Sequence, residues 1–176
     1  NLRQIIAKDS KNENWKCKCI RCREVRENYN PKEKLYLFRQ DYDASGGKEI
    51  FLSFENKKRE KLYSLLRLRI PSQYYKNSSR SIFRVLENSA IIREVHTYGQ
   101  LHSLISRDRV STFSPQHKGM GKKLIKEAER ITRKEFGLQK LAVISSAGVR
   151  NYYRKKLGYR LKDSYMTKKI QKSGLS

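Results

Sequence analysis

Two short segments of the sequence carry residue types that could perform chemistry. Cys17, Cys19 and Cys22 fall within six residues, and an odd number of cysteines so closely spaced suits metal ligands better than a disulfide framework. The second segment is Gln-His-Lys-Gly-Met-Gly at residues 116–121. Its glycines let the backbone approach a ligand closely, and a helix beginning there offers unpaired N–H groups and the positive end of its dipole. The sequence therefore predicts a metal site near the N terminus and a pyrophosphate-binding loop in the second half.

The spacing of the glycines excludes two common phosphate-binding loops. The pattern of dinucleotide-binding folds requires a third glycine, which does not follow Gly119 and Gly121. The Walker loop requires Gly-Lys followed by Ser or Thr, whereas Gly121 is followed by two lysines, the first of them Lys122. The pattern that remains is Gln-x-x-Gly-x-Gly at the start of a helix.

Elements of an α+β domain surround this loop. The apolar residues of 119–136 fall along one stripe, which predicts an amphipathic helix that ends at Gly137. Residues 90–98 and 141–144 read as strands on either side of that helix, and 147–156 as a second helix before a last strand. Strands followed by alternating helices and strands indicate an α+β sheet domain.

The first third of the chain has a different character. Residues 35–38 and 50–54 are β-rich runs on either side of an Asp/Ser/Gly turn, which predicts a hairpin. Periodicity leaves 62–70 as either a strand or a short helix. Residues 1–30 are polar and have neither a helical nor a strand period, so we predict an irregular lobe organised by a metal. The predicted domains are this lobe (1–30) and a sheet domain (31–176).

The Gln-x-x-Gly-x-Gly pattern and the order of its neighbouring elements resemble the Gcn5-related N-acetyltransferases. That resemblance implies an α+β fold with a mixed, mainly antiparallel sheet flanked by helices, and a loop that binds the pyrophosphate of acetyl-coenzyme A. Longer blocks are similar to the family of the Elongator catalytic subunit. They include Arg-Glu-Val-His-Thr-Tyr-Gly at 93–99, Val-Arg-Asn-Tyr-Tyr-Arg-Lys-Lys-Leu-Gly-Tyr at 149–159 and Cys-x-Cys-x-x-Cys-Arg-Glu-Val at 17–25.

The resemblance to the Elongator family implies part of a tRNA-modifying acyltransferase. In that family an acetyltransferase-like lobe is joined to a radical S-adenosylmethionine domain, and the enzyme modifies C5 of wobble uridine 34, with acetyl-coenzyme A as the carbon source. The Cys-x-x-x-Cys-x-x-Cys ligands of the iron–sulfur cluster do not occur in this sequence. The cluster and S-adenosylmethionine are therefore expected only in a half that this chain lacks. Ser146 and the long segment 111–115 depart from the family pattern near the ligand loop.

The resemblance identifies the cysteine cluster as the zinc site that joins the two halves in this family. Thiolates suit Zn²⁺, which takes four ligands in a structural site. Cys17, Cys19 and Cys22 therefore need a fourth ligand: a histidine, a water or a residue outside this chain. The alternatives are three cysteines without a metal, or a [4Fe–4S] cluster, for which the spacing is cramped.

The same resemblance suggests which residues act on the acetyl group. Glu94 and His96 alternate along a predicted strand and share a face, where either is a candidate general base or simply a hydrogen-bonding wall of the cleft. Tyr152 and Tyr153 are candidates to reach the thioester, although both also fit the apolar stripe of their helix. The expected acetyl-coenzyme A-binding residues are Glu94, Val95, His96, Thr97, Gln116, His117, Lys118, Gly119, Met120, Gly121, Lys122, Asn151 and Tyr152.

The charge of the chain favours a polyanionic partner. Lys and Arg number 41 against 17 Asp and Glu, which gives a net charge of +24, and contacts with phosphates would release condensed counterions. We expect tRNA as the partner, together with other Elongator subunits. A lysine N-acetyltransferase of proteins or histones is the alternative, although +24 disfavours Lys-rich tails. A zinc-containing RNA-binding module without catalysis, or a basic surface kept for solubility, are weaker readings.

The sequence contains no signal for membranes or secretion. No apolar run approaches the roughly 20 residues of a membrane-spanning helix, and no signal peptide is recognisable. We therefore expect no membrane contact and a cytoplasmic location. Residue 1 is Asn, which is consistent with a fragment of a longer protein.

Overall fold

The computed structural model of the chain describes residues 1–75, 81–98 and 119–170. A seven-stranded sheet in the order β1-β2-β3-β4-β5-β7-β6 organises them. Its strands are β1 (Leu35–Ala44), β2 (Gly47–Asn56), β3 (Leu62–Ile70), β4 (Ser89–Thr97), β5 (Lys140–Val143), β6 (Arg160–Lys162) and β7 (Tyr165–Lys169). The helices are α1 (Leu2–Asn12), α2 (Ile20–Arg23), α3 (Ser72–Tyr75), α4 (Met120–Lys134) and α5 (Arg150–Leu157). The predicted α+β class is confirmed.

The first three strands form an antiparallel meander. β1 and β2 make the predicted hairpin, with Ser45 and Gly46 at positive φ in its turn. Residues 62–70 form a strand because β2 and β4 flank them on both sides, and seven of these nine residues are buried. Burial on both faces explains the nearly continuous hydrophobic run, which periodicity could not assign.

The main hydrophobic core lies between one face of the sheet and helices α4 and α5. Leu124, Ala128 and Ile131 of α4 are fully buried in it, as the predicted apolar stripe requires. Tyr153 and Leu157 of α5 belong to the same core, so both helices cover the same face. The second predicted helix is divided into a 3-10 turn (Ala147–Val149) and α5.

β4 and β5 are parallel neighbours that separate part of the way along. They pair from Ser89 to Ile92, and α4 provides the crossover between them. The pairing of β4 with β3 shifts by one residue at this point. Arg67 lies opposite Glu94, but the next residue, Leu68, lies opposite Ile92, so Arg93 has no partner in β3. Arg93 is therefore the extra residue of a β-bulge, which bends a strand and disrupts the local ladder. The bulge directly follows the last β4 residue that pairs with β5, so the gap between the strands opens there.

The N-terminal segment contains more helix than we predicted. α1 covers residues 2–12, so the expectation of an irregular structure was wrong there. Its apolar residues, Leu2, Ile5 and Ile6, are at least 40% exposed, and they are too few to give a periodic signal in a run rich in Lys, Asp, Ser and Asn. The division into domains at residue 30 stays a prediction.

A membrane-spanning helix was not expected from the sequence. Among the residues that the structure describes, none of the helices combines the length and the apolar character that crossing a bilayer requires.

Candidate functional site

A cleft of about 450 Å³ lies where the N terminus of α4 faces the outer half of β4 and the start of α5. Its lining residues are Val95, Thr97, Gly119, Met120, Gly121, Lys122, Ile125, Val149, Tyr152 and Tyr153. The cleft therefore unites seven residues that the sequence assigned to acetyl-coenzyme A, together with Tyr153. Ile125 and Val149 were missed: Val149 was predicted on the apolar stripe of the second helix, whereas Ile125 was not on the stripe predicted for the first.

The glycine loop gives this cleft its anion-binding character. Gly119 is the N-cap of α4 with φ of 70°, a left-handed conformation that suits glycine. The first hydrogen bond of the helix is donated by Lys123 N–H to the Gly119 carbonyl, at 2.9 Å. The N–H groups of Met120, Gly121 and Lys122 therefore precede the helical ladder and have no backbone partner among the described residues, which suits an anion. Gln116, His117 and Lys118, also predicted to bind, lie outside the described residues.

At Gly121 the backbone of α4 comes close to side chains of β4. A Cβ atom there would lie 3.4 Å from Thr97 Oγ1 and 3.8 Å from Val95 Cγ1, which is ordinary van der Waals contact. At Gly119 a Cβ would meet nothing within 4 Å. Any larger side chain at Gly121 would therefore occupy the cleft wall between the helix and the strand.

Two residues of β4 face the cleft, and their neighbours do not. Val95 lies opposite Leu66, a residue of the core beneath α4, and Thr97 lies opposite Ser64, whose hydroxyl is 2.9 Å from the Thr97 hydroxyl. Glu94 and His96 alternate with them and occupy the other face of the sheet. Val95 and Thr97 thus form the cleft wall, beside the backbone edge of β4 that β5 no longer pairs.

Glu94 and His96 are exposed on the face opposite the cleft. Glu94 forms an ion pair with Arg67 at 3.4 Å, and the His96 ring lies 4.4 Å from the ring of Tyr98. The sequence correctly placed Glu94 and His96 on one face. A base at either position would serve a substrate that approaches the sheet from the face opposite the cleft. Such a substrate would reach the cleft through the gap between β4 and β5.

The two tyrosines of α5 enter the cleft as neutral hydrogen-bond donors. Burial raises the pKa of Tyr153 to about 12, and burial also raises the pKa of Tyr152, which is 43% exposed. Their rings pack edge to face with centroids 5.7 Å apart. Asn151 does not line this cleft, since its side-chain oxygen accepts a hydrogen bond from Arg154 at 2.7 Å.

The three cysteines are close enough to bind one metal ion together. Their Sγ atoms lie within 4.8 Å of one another, and ideal tetrahedral Zn–S bonds would place them about 3.8 Å apart. A hydrogen bond from the Cys22 backbone N–H lowers the pKa of the Cys19 thiol, whereas hydrogen bonds with the thiols of Cys19 and Cys17 raise the pKa of Cys22 to about 11. Cys17, Cys19 and Cys22 therefore fit a thiolate metal site. Within the described part of the chain, no fourth candidate ligand joins this cluster.

The chain that follows Cys22 attaches the cluster to the sheet. Arg23 forms an ion pair with Glu55, a fully buried carboxylate of β2 that also accepts a hydrogen bond from Ser53 at 2.6 Å. Val25 donates its backbone N–H to Leu62 at 3.1 Å. Glu55 was not predicted to have a structural role, because the sequence does not show which basic residue will pair with an acidic residue in a strand.

Val25 also connects the N-terminal segment to the cleft. Its side chain is 1% exposed and packs in a small cluster with Tyr63 and Met120. Met120 is the first residue of α4 and lines the cleft. The cysteine segment and the cleft are therefore in contact through a buried apolar cluster.

Comparison with known proteins identifies relatives of the chain. It is 42% identical over 176 residues to a tRNA uridine(34) acetyltransferase of Methanocaldococcus infernus, a match that covers 97% of this chain and 31% of the relative. It is also 42% identical over 175 residues to Elongator complex protein 3 of Saccharomyces cerevisiae, covering 97% and 30%. No protein-family model matches the chain. The chain thus spans about a third of the length of these relatives.

A solved structure supports the fold. The archaeal Methanocaldococcus infernus Elp3 with an N-terminal deletion matches with a TM-score of 0.74 and 39% identity, over 94% of this chain and 38% of that one. The predicted fold, a mixed and mainly antiparallel sheet with helices packed against it, is confirmed. Over nearly its whole length the chain is thus homologous to one part of the tRNA uridine(34) acetyltransferases and of Elongator complex protein 3.

Proposed function

We propose that this chain is the acetyl-coenzyme A-binding part of an acyltransferase that modifies C5 of wobble uridine 34 in tRNA. The observation that carries the proposal is the cleft in which the free N–H groups of the α4 N terminus face the open edge of β4. Relatives named for tRNA uridine(34) acetylation supply the substrate. The net charge of +24 suits a partner rich in phosphates.

Each part of the cleft has a distinct role in this proposal. The N–H groups of Met120, Gly121 and Lys122 bind the pyrophosphate, and the charge of Lys122 adds to the helix dipole. The unpaired edge of β4 at Val95 and Thr97 offers backbone groups to the amide-containing arm. Acetyl-coenzyme A supplies an acetyl group activated as a thioester. The phenol of Tyr152, which is protonated at neutral pH, donates a hydrogen bond to the acyl end of the cleft.

The general base belongs to the opposite face of the sheet. We assign this role to Glu94 or His96, because both are exposed there and adjoin the gap beyond Ile92. A base must lie within hydrogen-bonding reach of the proton that it accepts. In this arrangement the acyl donor reaches the gap between β4 and β5 from the side of α4, and the nucleotide reaches it from the opposite face of the sheet.

The first test separates the proposed function from lysine acetylation. Calorimetry should show one acetyl-coenzyme A bound per chain, and an electrophoretic shift assay should show tRNA binding at low salt that weakens linearly on a log–log salt plot. A lysine peptide should not be acetylated, because the basic surface repels it. Absence of tRNA binding at low salt, together with efficient peptide acetylation, would identify a lysine N-acetyltransferase instead.

We further propose that Cys17, Cys19 and Cys22 bind one structural Zn²⁺. Elemental analysis of the purified chain should give one zinc per chain, and the Cys19→Ser variant should lose it. Removing the metal should increase hydrogen exchange within residues 1–30 while the sheet domain keeps its protection, since α1 has few buried side chains of its own. The Ser10→Ala variant, altered in the same lobe without loss of a thiolate, is the control. Iron in place of zinc, or no metal, would contradict the assignment.

The remaining assignments follow from the family. We propose a boundary between the zinc-binding lobe (1–30) and the acetyltransferase-like domain (31–176), and a cytoplasmic enzyme. The yeast relative is named as a protein of the Elongator complex. We propose contacts with other Elongator subunits on that ground.

A further inference from the structure

A basic and aromatic surface lies on the sheet face opposite α4, over the corner formed by β5, β7 and β6. We propose that this surface, which we call the corner face, binds the phosphate backbone of single-stranded RNA and stacks one of its bases. The inference rests on the proposed function and specifies which surface the RNA uses. The residues of the corner face are Lys140, Arg160, Lys162, Tyr165, Thr167 and Lys169, with Phe83 at its border.

Strand pairing places these residues on one face. Lys168 of β7 forms an ion pair with Glu129 of α4 at 2.9 Å, so Lys168 points towards the helices and Lys169 points away. Residues directly opposite one another in neighbouring strands share a face. Lys140 lies opposite Lys169, Arg160 opposite Thr167, and Lys162 opposite Tyr165.

The lysines of the corner face lack internal counter-charges. Lys140 and Lys169 oppose each other directly, and like charges so placed destabilise a strand pair. No acidic side chain among the described residues forms an ion pair with Lys140, Lys162 or Lys169. Burial and the charge of Lys162 lower the pKa of Lys140, while Glu87 nearby opposes that shift. An anion bound here would relieve the repulsion.

The shape of the surface at this corner also suits a ligand. A cavity of about 780 Å³ adjoins Lys140 and Lys169 at the end of these strands, and its wall also includes Lys134 from the last turn of α4 and the acidic Glu87. Most other basic side chains around the sheet, such as Arg39, Arg69 and Arg93, are already paired with carboxylates. The corner face is therefore a concentration of positive charge whose lysines form no ion pair within the described part of the chain, with Glu87 as a nearby carboxylate.

An aromatic pair made of an exposed Phe83 and a half-buried Tyr165 favours RNA over other polyanions. The ring of Phe83 is 55% exposed and lies 6.3 Å from the ring of Tyr165, which is on the corner face. Aromatic side chains beside a positively charged surface bind unpaired bases by stacking, whereas the carboxylates of an acidic peptide need only the cations. Exposed Phe83 thus favours single-stranded RNA over an acidic protein.

The corner face has the right position for the proposed reaction. Glu94 and His96 of β4 lie on the same side of the sheet, opposite the acetyl-coenzyme A cleft. Three strand spacings, about 14 Å in total, separate β4 from β6. RNA bound across β5, β7 and β6 can therefore extend to the gap beside β4.

The test removes the three lysines and measures RNA binding by the full chain. The combined variant Lys140→Gln, Lys162→Gln and Lys169→Gln should bind tRNA roughly 30- to 100-fold more weakly at 0.1 M salt, with a log–log salt slope smaller by about two to three. Its unfolding temperature should stay the same or rise, because repulsion is removed. The matched control is Lys32→Gln, Lys34→Gln and Lys57→Gln, which removes the same charge from exposed positions near β1 and the β2–β3 turn.

The aromatic part of the inference has its own variants. Phe83→Ala should weaken binding of a single-stranded RNA about tenfold without changing the slope of the log–log salt plot. Phe83→Trp should bind this RNA as tightly as the unaltered chain. If the lysine variant and its control bind tRNA equally well, the corner face is not the RNA surface, although the proposed function stands. If the unaltered chain binds no tRNA at low salt, the proposed function fails as well.

Discussion

Replacing Gly121 with valine should weaken acetyl-coenzyme A binding more than 100-fold and leave the chain folded. A Cβ atom at this position would already touch Thr97 and Val95, so the two methyl groups of valine must enter the cleft between α4 and β4. Their bulk would keep the ligand from the N–H groups that bind its phosphates. Valine has a higher helix propensity than glycine, so the helix itself is not weakened. Calorimetry and thermal unfolding measure the two effects separately.

A graded series makes the Gly121 prediction specific. Gly121→Ala adds only the atom that fits at van der Waals distance, so it should cost at most a few-fold in affinity. Gly137→Ala is the control for a glycine at the other end of α4, where φ is 64° and a Cβ meets nothing within 4 Å. It should lower stability through backbone strain without affecting binding. Unchanged affinity in a folded Gly121→Val chain would contradict the location of the cofactor.

Replacing Glu55 with alanine should lower the free energy of unfolding by about 3–5 kcal/mol. Glu55 is fully buried and pairs with Arg23 and Arg59, and Arg23 is itself only 13% exposed. Removing one partner leaves a buried charge without compensation, which is more harmful than removing the pair. For a chain of this size the unfolding temperature should fall by roughly 6–20 °C. Thermal unfolding followed by circular dichroism provides the measurement.

Two further variants isolate the cause of that loss. Glu60→Ala removes an exposed carboxylate only a few residues away and should change stability by less than about 0.5 kcal/mol. Arg23→Met combined with Glu55→Leu removes both charges and should recover much of the lost stability, as replaced buried ion pairs often do. If Glu55→Ala were as stable as Glu60→Ala, the ion pair would not be what holds the cysteine segment to the sheet.

Local patterns were sufficient to predict most elements of the fold. The apolar stripe of α4 and the β1–β2 hairpin depend on residues that are close in sequence. The structure confirms both elements. Residues 62–70 could not be assigned, since a strand buried on both faces loses its alternation. α1 was missed because its side chains bury little and so leave no apolar stripe.

The face of each β4 residue could not be predicted by extending the core pattern outwards. Ile92 is buried beneath α4, and regular alternation from it would turn Glu94 and His96 towards the helices as well. The extra residue Arg93 shifts that alternation, so Val95 and Thr97 face the cleft. A β-bulge leaves no mark in a single sequence that distinguishes it from a regular strand.

The corner face could not be predicted from the sequence for a different reason. Its lysines come from three strands that are adjacent only after folding, and Lys140 precedes Lys169 by almost thirty residues. The basic stretches seen along the chain mix such cations with others that pair internally, such as Lys168. Net charge therefore predicted the class of partner, while the surface that binds it depended on strand order.

The gap between β4 and β5 has a consequence for how the two substrates arrive. A ligand in the cleft enters from the side of α4, and a macromolecule on the corner face approaches from the other side, so the two share no entrance. Either substrate can therefore bind or dissociate while the other is bound. The order of arrival is then not imposed by a shared entrance and depends on the concentration of each substrate relative to its dissociation constant.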